Sequence, residues 1–98
     1  MKGTVTLIVP CYNEEESLPI FYHAVCDVAQ TLPDYQMTFL LINDGSKDNT
    51  LQIMRDLAAK DERVKYLSFS RNFGKEAAMY AGFCNAEGDY VAVMDADM

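Results

Sequence analysis

The chain has 98 residues, 50% of them hydrophobic, with 8 basic and 15 acidic side chains and a formal net charge of −7. That length allows one compact domain, and the apolar content suffices for a core and argues against disorder. The acidic balance speaks against a nucleic-acid partner, which needs clustered Lys and Arg, but permits a phosphorylated small molecule bridged by a divalent cation.

Cys11, Cys26 and Cys84 lie far apart and form no C-x-x-C pair. Neither a disulfide framework nor a zinc site is indicated, and the expectation is of reduced thiols in a cytoplasmic domain. The opening "MKGTVTLIVP" has one lysine and too short an apolar stretch for a signal peptide, and no run approaches the length of a membrane span.

Val5 to Val9 is a short apolar run, and Pro10, which has no N–H, is expected to close this first strand. Ser17 is placed to cap a helix with Pro19 in its first turn, along which Leu18, Phe21, Tyr22, Val25, Val28, Ala29 and Leu32 recur at helical spacing. Met37 to Ile42 forms a second strand ending in the turn chemistry of "NDGSKDNT". Leu51, Met54, Leu57 and Ala58 stripe a second helix, and Val64 to Phe69 alternates as a third strand. The spacing predicts a third helix over about Glu76 to Cys84, with Met79, Tyr80 and Phe83 on its buried side, and then a strand up to Met94.

The βαβαβαβ order implies an α/β fold, a parallel sheet with helices on both faces. Sites in such sheets lie outside the carboxyl ends of the strands. Four polar segments follow those ends here: "CYNEEE", "NDGSKDN", "SRNFGK" and "DADM". No internal repeat, linker or composition shift divides the chain.

Asp95 and Asp97 stand one residue apart at the end of an apolar strand, where alternate residues point the same way. Hard oxygen ligands at this spacing suit Mg²⁺ or Mn²⁺ shared with substrate phosphates. A solvated acidic turn would look the same if the pair did not follow such a strand. Asp44, after strand two, has two readings of equal weight: an acceptor for a base or ribose, or part of an Asx-type turn that caps the next helix. Tyr12 can stack on a base and Glu14 can accept from a base edge or ribose, with plain packing the competitor for Tyr12. Lys75 and Arg71 are cations suited to a diphosphate or to Asp95, as a surface ion pair would also be. His23 reads as packing or surface, and Cys11 as a small buried residue. No G-x-G-x-x-G follows strand one and no G-x-x-x-x-G-K-[ST] occurs, which removes ordinary NAD binding and P-loop chemistry.

Taken together, "VTLIVPCYNEEESLP", "LLINDGSKDNT", "SRNFGKEAAMYAG" and "GDYVAVMDADM" resemble the family 2 inverting glycosyltransferases, in particular those that act on polyprenol phosphates. The stretches are in the family's order and span nearly all of the chain. The resemblance implies a Rossmann-like GT-A fold, with residues 1–98 the nucleotide-sugar-binding part of the domain, that takes a UDP- or GDP-sugar together with Mg²⁺ or Mn²⁺. By motif, Pro10, Tyr12 and Glu14 would line the nucleoside pocket, and Ile42 and Asp44 would contact base or ribose. Asp95 would reach the ribose or diphosphate, Ala96 would pass close to the nucleotide, Asp97 would ligate the metal, and Lys75 would join the donor site. Asn43 departs from the family, many of whose members have an Asp there.

The family's acceptor-side residues, any general base and the membrane-associating helices follow the D-x-D. The resemblance therefore implies the donor-binding part of a longer enzyme at the cytoplasmic face of a membrane, with a polyprenyl-phosphate or glycan acceptor, a part without turnover of its own. Apolar surface left uncovered would favour self-association. Two rival readings are a Mg²⁺-dependent phosphatase with an aspartyl nucleophile, whose acidic pair follows the first strand rather than the fourth, and a non-catalytic α/β nucleotide-binding domain.

Overall fold

The computed structural model describes residues 2–97, so that Met98 of the segment "DADM" lies outside the described residues. Strands and helices alternate: β1 (Gly3–Cys11), α1 (Ser17–Gln30), β2 (Tyr35–Asn43), α2 (Thr50–Lys60), β3 (Val64–Ser68), α3 (Lys75–Asn85) and β4 (Tyr90–Val93). All strand pairs are parallel, in the order β3-β2-β1-β4. The chain steps outward from β1 to β2 to β3, then α3 carries it back across β1 to lay down β4.

Side-chain alternation sorts the core into two layers. Leu7, Val9, Met37, Phe39 and Leu41 face α1 and α2, where Leu18, Phe21, Val25 and Met54 meet them. Ile8, Leu40 and Ile42 face the other way, against Ala78 of α3. A reversal of direction with crossovers of one hand requires the last helix to take the opposite face from the first two.

Three expectations from the sequence are corrected. Pro10 does not end β1 but sits inside it, opposite Ile42. The Ile8 carbonyl accepts from the Met94 N–H at 3.0 Å, so Ile8, and Pro10 two residues on, face β4. The β4 ladder stops at the Ile8–Val93 pair, so the missing N–H of Pro10 removes no ladder bond. On α3, Tyr80 and Phe83 are exposed, while Ala78 and Gly82 are buried. The helix packs through its small residues because it lies almost on the sheet: a Cβ at Gly82 would stand 2.4 Å from Ile8 Cγ2. Finally, β4 is not covered on both faces. It forms a sheet edge, and Tyr90, Val91 and Met94 are exposed.

No helix among the described residues is long and apolar enough to cross a membrane. The α3–β4 connection is stitched to β1 by Thr6, whose hydroxyl donates to the Glu87 carbonyl, and by Asp89, whose carboxylate accepts from the Thr4 N–H at 2.9 Å.

Candidate functional site

The reversal of chain direction at β1 creates a switch point at the carboxyl ends of β1 and β4, the place where open parallel sheets bind ligands. A cleft of about 390 Å³ lies there.

Its first wall is the segment after β1. Asn13 turns the chain with a φ of 53°, a left-handed conformation that Asn tolerates better than most residues. Its N–H donates to Ser46 Oγ at 2.9 Å, and its side-chain oxygen accepts from the Lys47 N–H at 2.8 Å. The Glu14 N–H donates to Thr50 Oγ1 at 2.8 Å and the Glu15 N–H to Asp48 at 3.2 Å. Burial opposes charge on Asp48, but hydrogen bonds from Thr50 and the Glu15 amide outweigh it and hold the carboxyl below the usual carboxylate range. Two loops thus become one frame, which leaves Tyr12 41% exposed on the cleft wall. Ser17 does not cap α1. It is the first helical residue, and its hydroxyl donates at 2.6 Å to the Glu14 carboxylate, fixing that side chain beside the cleft.

Beyond β2, Asn43 makes the turn: its side-chain oxygen accepts from the Ser46 N–H at 3.0 Å while its amide group donates to Ser68 Oγ at 3.0 Å. Asp44 has a different task. It is 3% exposed, and its carboxylate accepts from the N–H groups of Phe73 (2.8 Å) and Gly74 (3.0 Å) and from the Asn72 side chain (3.0 Å). Gly45, at φ 70°, brings this loop against the next one so closely that a Cβ would lie 2.1 Å from the carbonyl carbon of Arg71.

The opposite wall follows β4. Ala96 is buried in the core layer beneath α1, so the carboxylates on either side of it, Asp95 and Asp97, are left on the cleft. Asp95 pairs with Lys75 at 2.6 Å, and that hydrogen bond raises the Lys75 ammonium above its ordinary value. Cys11 reaches the cleft floor from β1, and burial, aided by the charge of Glu14, pushes its thiol up to about 12. It is a neutral packing group at physiological pH rather than a nucleophile.

Pro10, Tyr12, Glu14, Asp44, Lys75, Asp95, Ala96 and Asp97 therefore border one cleft. Ile42 does not join them, because its even-numbered position in β2 turns its side chain into the fully buried layer with Ile8, Leu40 and Ala78. Arg71 also stays outside, its guanidinium 4.7 Å from the centroid of the Phe73 ring. Asn72 and Gly74 line the cleft instead. Their signal lay in the same "SRNFGK" segment, where a polar residue and a glycine precede a helix, but charge singles out Arg71.

Among the described residues no three His, Cys, Asp or Glu side chains gather as a metal-ligand set. Asp95 and Asp97 are two hard oxygen donors, which fits a divalent cation whose remaining positions are filled by water and by the phosphates of a ligand. The charge balance fits it too. Glu14, Asp44, Asp95 and Asp97 border the cleft with Lys75 as its one cationic side chain among the described residues, so a diphosphate needs added positive charge to enter.

A parallel α/β sheet with a switch-point cleft of this kind is a Rossmann-like arrangement of the GT-A type, and comparison with known proteins agrees. The profile described as "Glycosyl transferase family 2" matches residues 6–98, and the chain belongs to that family. It is 48% identical over 94 residues to the bactoprenol glucosyl transferase of Shigella phage SfV, covering 96% of this chain and 30% of that protein. It is 39% identical over 95 residues to the undecaprenyl-phosphate 4-deoxy-4-formamido-L-arabinose transferase of Pseudomonas fluorescens (strain SBW25), covering 96% of this chain and 28% of that protein. The crystal structure of S. aureus TarS 1-349 in complex with UDP-GlcNAc superposes with a TM-score of 0.76 at 26% identity, over 96% of this chain and 26% of that one. The mannosyltransferase PcManGT of Pyrobaculum calidifontis, in complex with GDP-Man and Mn²⁺, shares the fold at a TM-score of 0.76 and 24% identity, over 99% of this chain and 28% of that one. The chain thus spans less than a third of the length of these relatives.

Proposed function

We propose that this chain is the donor-binding part of an inverting glycosyltransferase, holding a nucleoside-diphosphate sugar and a divalent cation in the cleft between β1 and β4. The observation that carries this reading is the arrangement of Tyr12 and Glu14 on one wall and Asp95, Asp97 and Lys75 on the other, with Ala96 anchoring the acidic pair. An exposed aromatic face and a fixed carboxylate suit a base and ribose. Pro10 shapes the floor beneath them. The opposite wall suits a diphosphate: Asp97 and Asp95 would hold Mg²⁺ or Mn²⁺, and Lys75 would move its charge between Asp95 and a phosphate oxygen. When bound, the cation neutralises charge that develops on the departing nucleoside diphosphate.

Relatives named as bactoprenol and undecaprenyl-phosphate transferases favour a polyprenyl phosphate as acceptor for the whole protein. We place that whole protein at the cytoplasmic face of a membrane. Such an acceptor is already anionic, so inversion would not require the cleft to supply a general base. The chain spans less than a third of the length of these relatives, and by itself it is expected to bind a donor without turning it over.

Calorimetric titration with UDP and with GDP, each with and without Mn²⁺, tests the donor site. Metal-dependent binding of one nucleotide, weakened by Asp97→Ala, is the expected result and chooses the base. A folded chain that binds neither nucleotide with Mn²⁺ overturns the reading in favour of a structural α/β domain.

A further inference from the structure

We propose that Lys75 is an internal counter-ion that reserves Asp95 until a diphosphate arrives, so that the cleft takes up a divalent cation together with the diphosphate rather than ahead of it. The inference rests on the donor-site reading and adds the order in which that site is filled.

The Lys75 ammonium stands 2.6 Å from Asp95 Oδ1, so one of the two candidate cation ligands already faces a positive charge. Among the described residues Lys75 is the only cationic side chain that borders the cleft, and the charge it carries is committed to Asp95 rather than to Glu14, Asp44 or Asp97. Its place in the helix is informative as well. Lys75 is the first residue of α3, behind a glycine cap that offers no side-chain acceptor. A cation at that end opposes the helix dipole, which favours an acid such as the neighbouring Glu76. Helix stability thus gives no reason for a lysine at this position, whereas the pair with Asp95 on the facing segment does.

Both partners are about half exposed, with 58% and 51% of their side chains accessible. An ion pair in that setting is weak and exchanges readily. It competes with a solvated cation for Asp95, yet it yields when a second anion offers Lys75 a better partner. A diphosphate is such an anion. It presents phosphate oxygens to the ammonium, and it brings a cation the further oxygen ligands that two carboxylates cannot supply. Transfer of Lys75 to the diphosphate frees Asp95 for the cation, and a cation at Asp95 frees Lys75 for the diphosphate. Each ligand then raises the affinity of the other by the same factor.

Removal of Lys75 should therefore act in opposite directions on the two ligands, which neither an idle surface ion pair nor a lysine that only binds phosphate would do. Electron paramagnetic resonance of free Mn²⁺ follows binding of the cation alone, and calorimetry follows the preformed Mn²⁺ complexes of pyrophosphate, UDP and GDP. The proteins compared are wild type, Lys75→Met, Lys75→Arg and Lys47→Met. Lys47 is exposed and does not border the cleft, so its variant controls for net charge. We expect Lys75→Met to bind Mn²⁺ alone at least about threefold more tightly and the Mn²⁺ complex of pyrophosphate about fivefold more weakly. Lys75→Arg, which keeps the pair, and Lys47→Met should stay near the wild-type affinity for Mn²⁺ alone. Unchanged or weaker Mn²⁺ binding in Lys75→Met overturns the proposal, because Asp95 was then not reserved. Equal tightening in Lys47→Met also overturns it, by reducing the effect to charge at a distance. A wild-type chain that binds none of the three complexes removes the donor-site reading and the coupling with it. Nucleotide binding without the opposed response leaves the donor site standing and overturns the coupling alone.

Discussion

Gly82 of α3 lies directly on Ile8 of β1, with space between them for no further atom: a Cβ on the helix would stand 2.4 Å from Ile8 Cγ2. The contact determines how near α3 comes to the sheet, and so where its first residue, Lys75, emerges at the rim. Gly82→Ala gains roughly 1 kcal/mol in helix propensity, but overpacking against a fully buried isoleucine costs about 1–3 kcal/mol. The expected outcome is a net loss of stability, read as a lower urea midpoint with an unchanged slope. Shortening the neighbour in the double variant Ile8→Val/Gly82→Ala should restore part of that loss.

Gly45 and Gly74 offer a matched pair in which only one meets a neighbour. Both have positive φ, 70° and 103°, but a Cβ at 45 would lie 2.1 Å from backbone of Arg71, whereas a Cβ at 74 meets nothing within 4 Å. Backbone strain of about 1–3 kcal/mol applies to both alanine variants. Gly45→Ala adds displacement of the 71–74 segment, since backbone cannot swing away as a side chain can. Chemical denaturation should rank Gly45→Ala as the less stable of the two by more than about 1 kcal/mol. Equal losses would mean that the two loops are not in contact in solution.

The three cysteines should separate cleanly by reactivity. Cys84 is exposed, Cys26 is half-buried against Arg63, and Cys11 is buried with its thiol pushed up to about 12 by burial and then by Glu14. Thiolate is the reacting species. In native protein near pH 8, a thiol reagent such as DTNB should titrate Cys84 rapidly and leave Cys11 untouched, and unfolding should release the rest. Substituting Cys84 by Ser abolishes the fast phase if this ordering holds.

The order of the elements, the parallel sheet and the convergence of four polar segments on one rim were legible because alternation of period and turn chemistry are local signals. What the sequence concealed depends on contacts between distant elements. Tyr80 and Phe83 read as the buried face of α3, yet close approach of helix to sheet selects the small face through Ala78 and Gly82, and no local pattern announces how near a helix will lie. Pro10 reads as a strand end, but where it sits in β1 is harmless because β4 stops short, a fact fixed near the other end of the sequence, at Val93. At the cleft, no local signal tells that the acidic residue after β2 also accepts from three donors of another loop, as Asp44 does. Ile42 looks like a rim residue by its place in the motif, and the pleat turns it inward.

Far from the cleft, Asp61 ties α2 to α1 and β3, and its charge gives the fold a pH signature at both ends of the scale. Its carboxylate accepts from the Tyr22 hydroxyl at 2.5 Å and from Arg63 at 2.7 Å, and the Arg63 guanidinium also lies 5.3 Å from the centroid of the Phe39 ring. Hydrogen bonding from Arg63, and then from Tyr22, outweighs burial and holds the Asp61 carboxyl well below the usual range. A depressed folded pKa stabilises above the unfolded value of about 3.9 and is lost as pH falls through the folded one. Asp61→Asn should therefore cost about 1–3 kcal/mol at pH 7, with the gap to wild type closing as the pH is lowered beneath about 4. The Tyr22 phenol moves the other way, raised by burial and then by its bond to Asp61. Its contribution is present below the unfolded value of about 10 and fades as pH climbs through the higher folded one. Tyr22→Phe should accordingly be less stable than wild type at neutral pH and lose less than wild type in alkali. A Tyr22→Phe variant whose denaturation midpoint falls in parallel with wild type above pH 10 would show that the phenol does not titrate with unfolding, and that the hydrogen bond to Asp61 is not formed in solution.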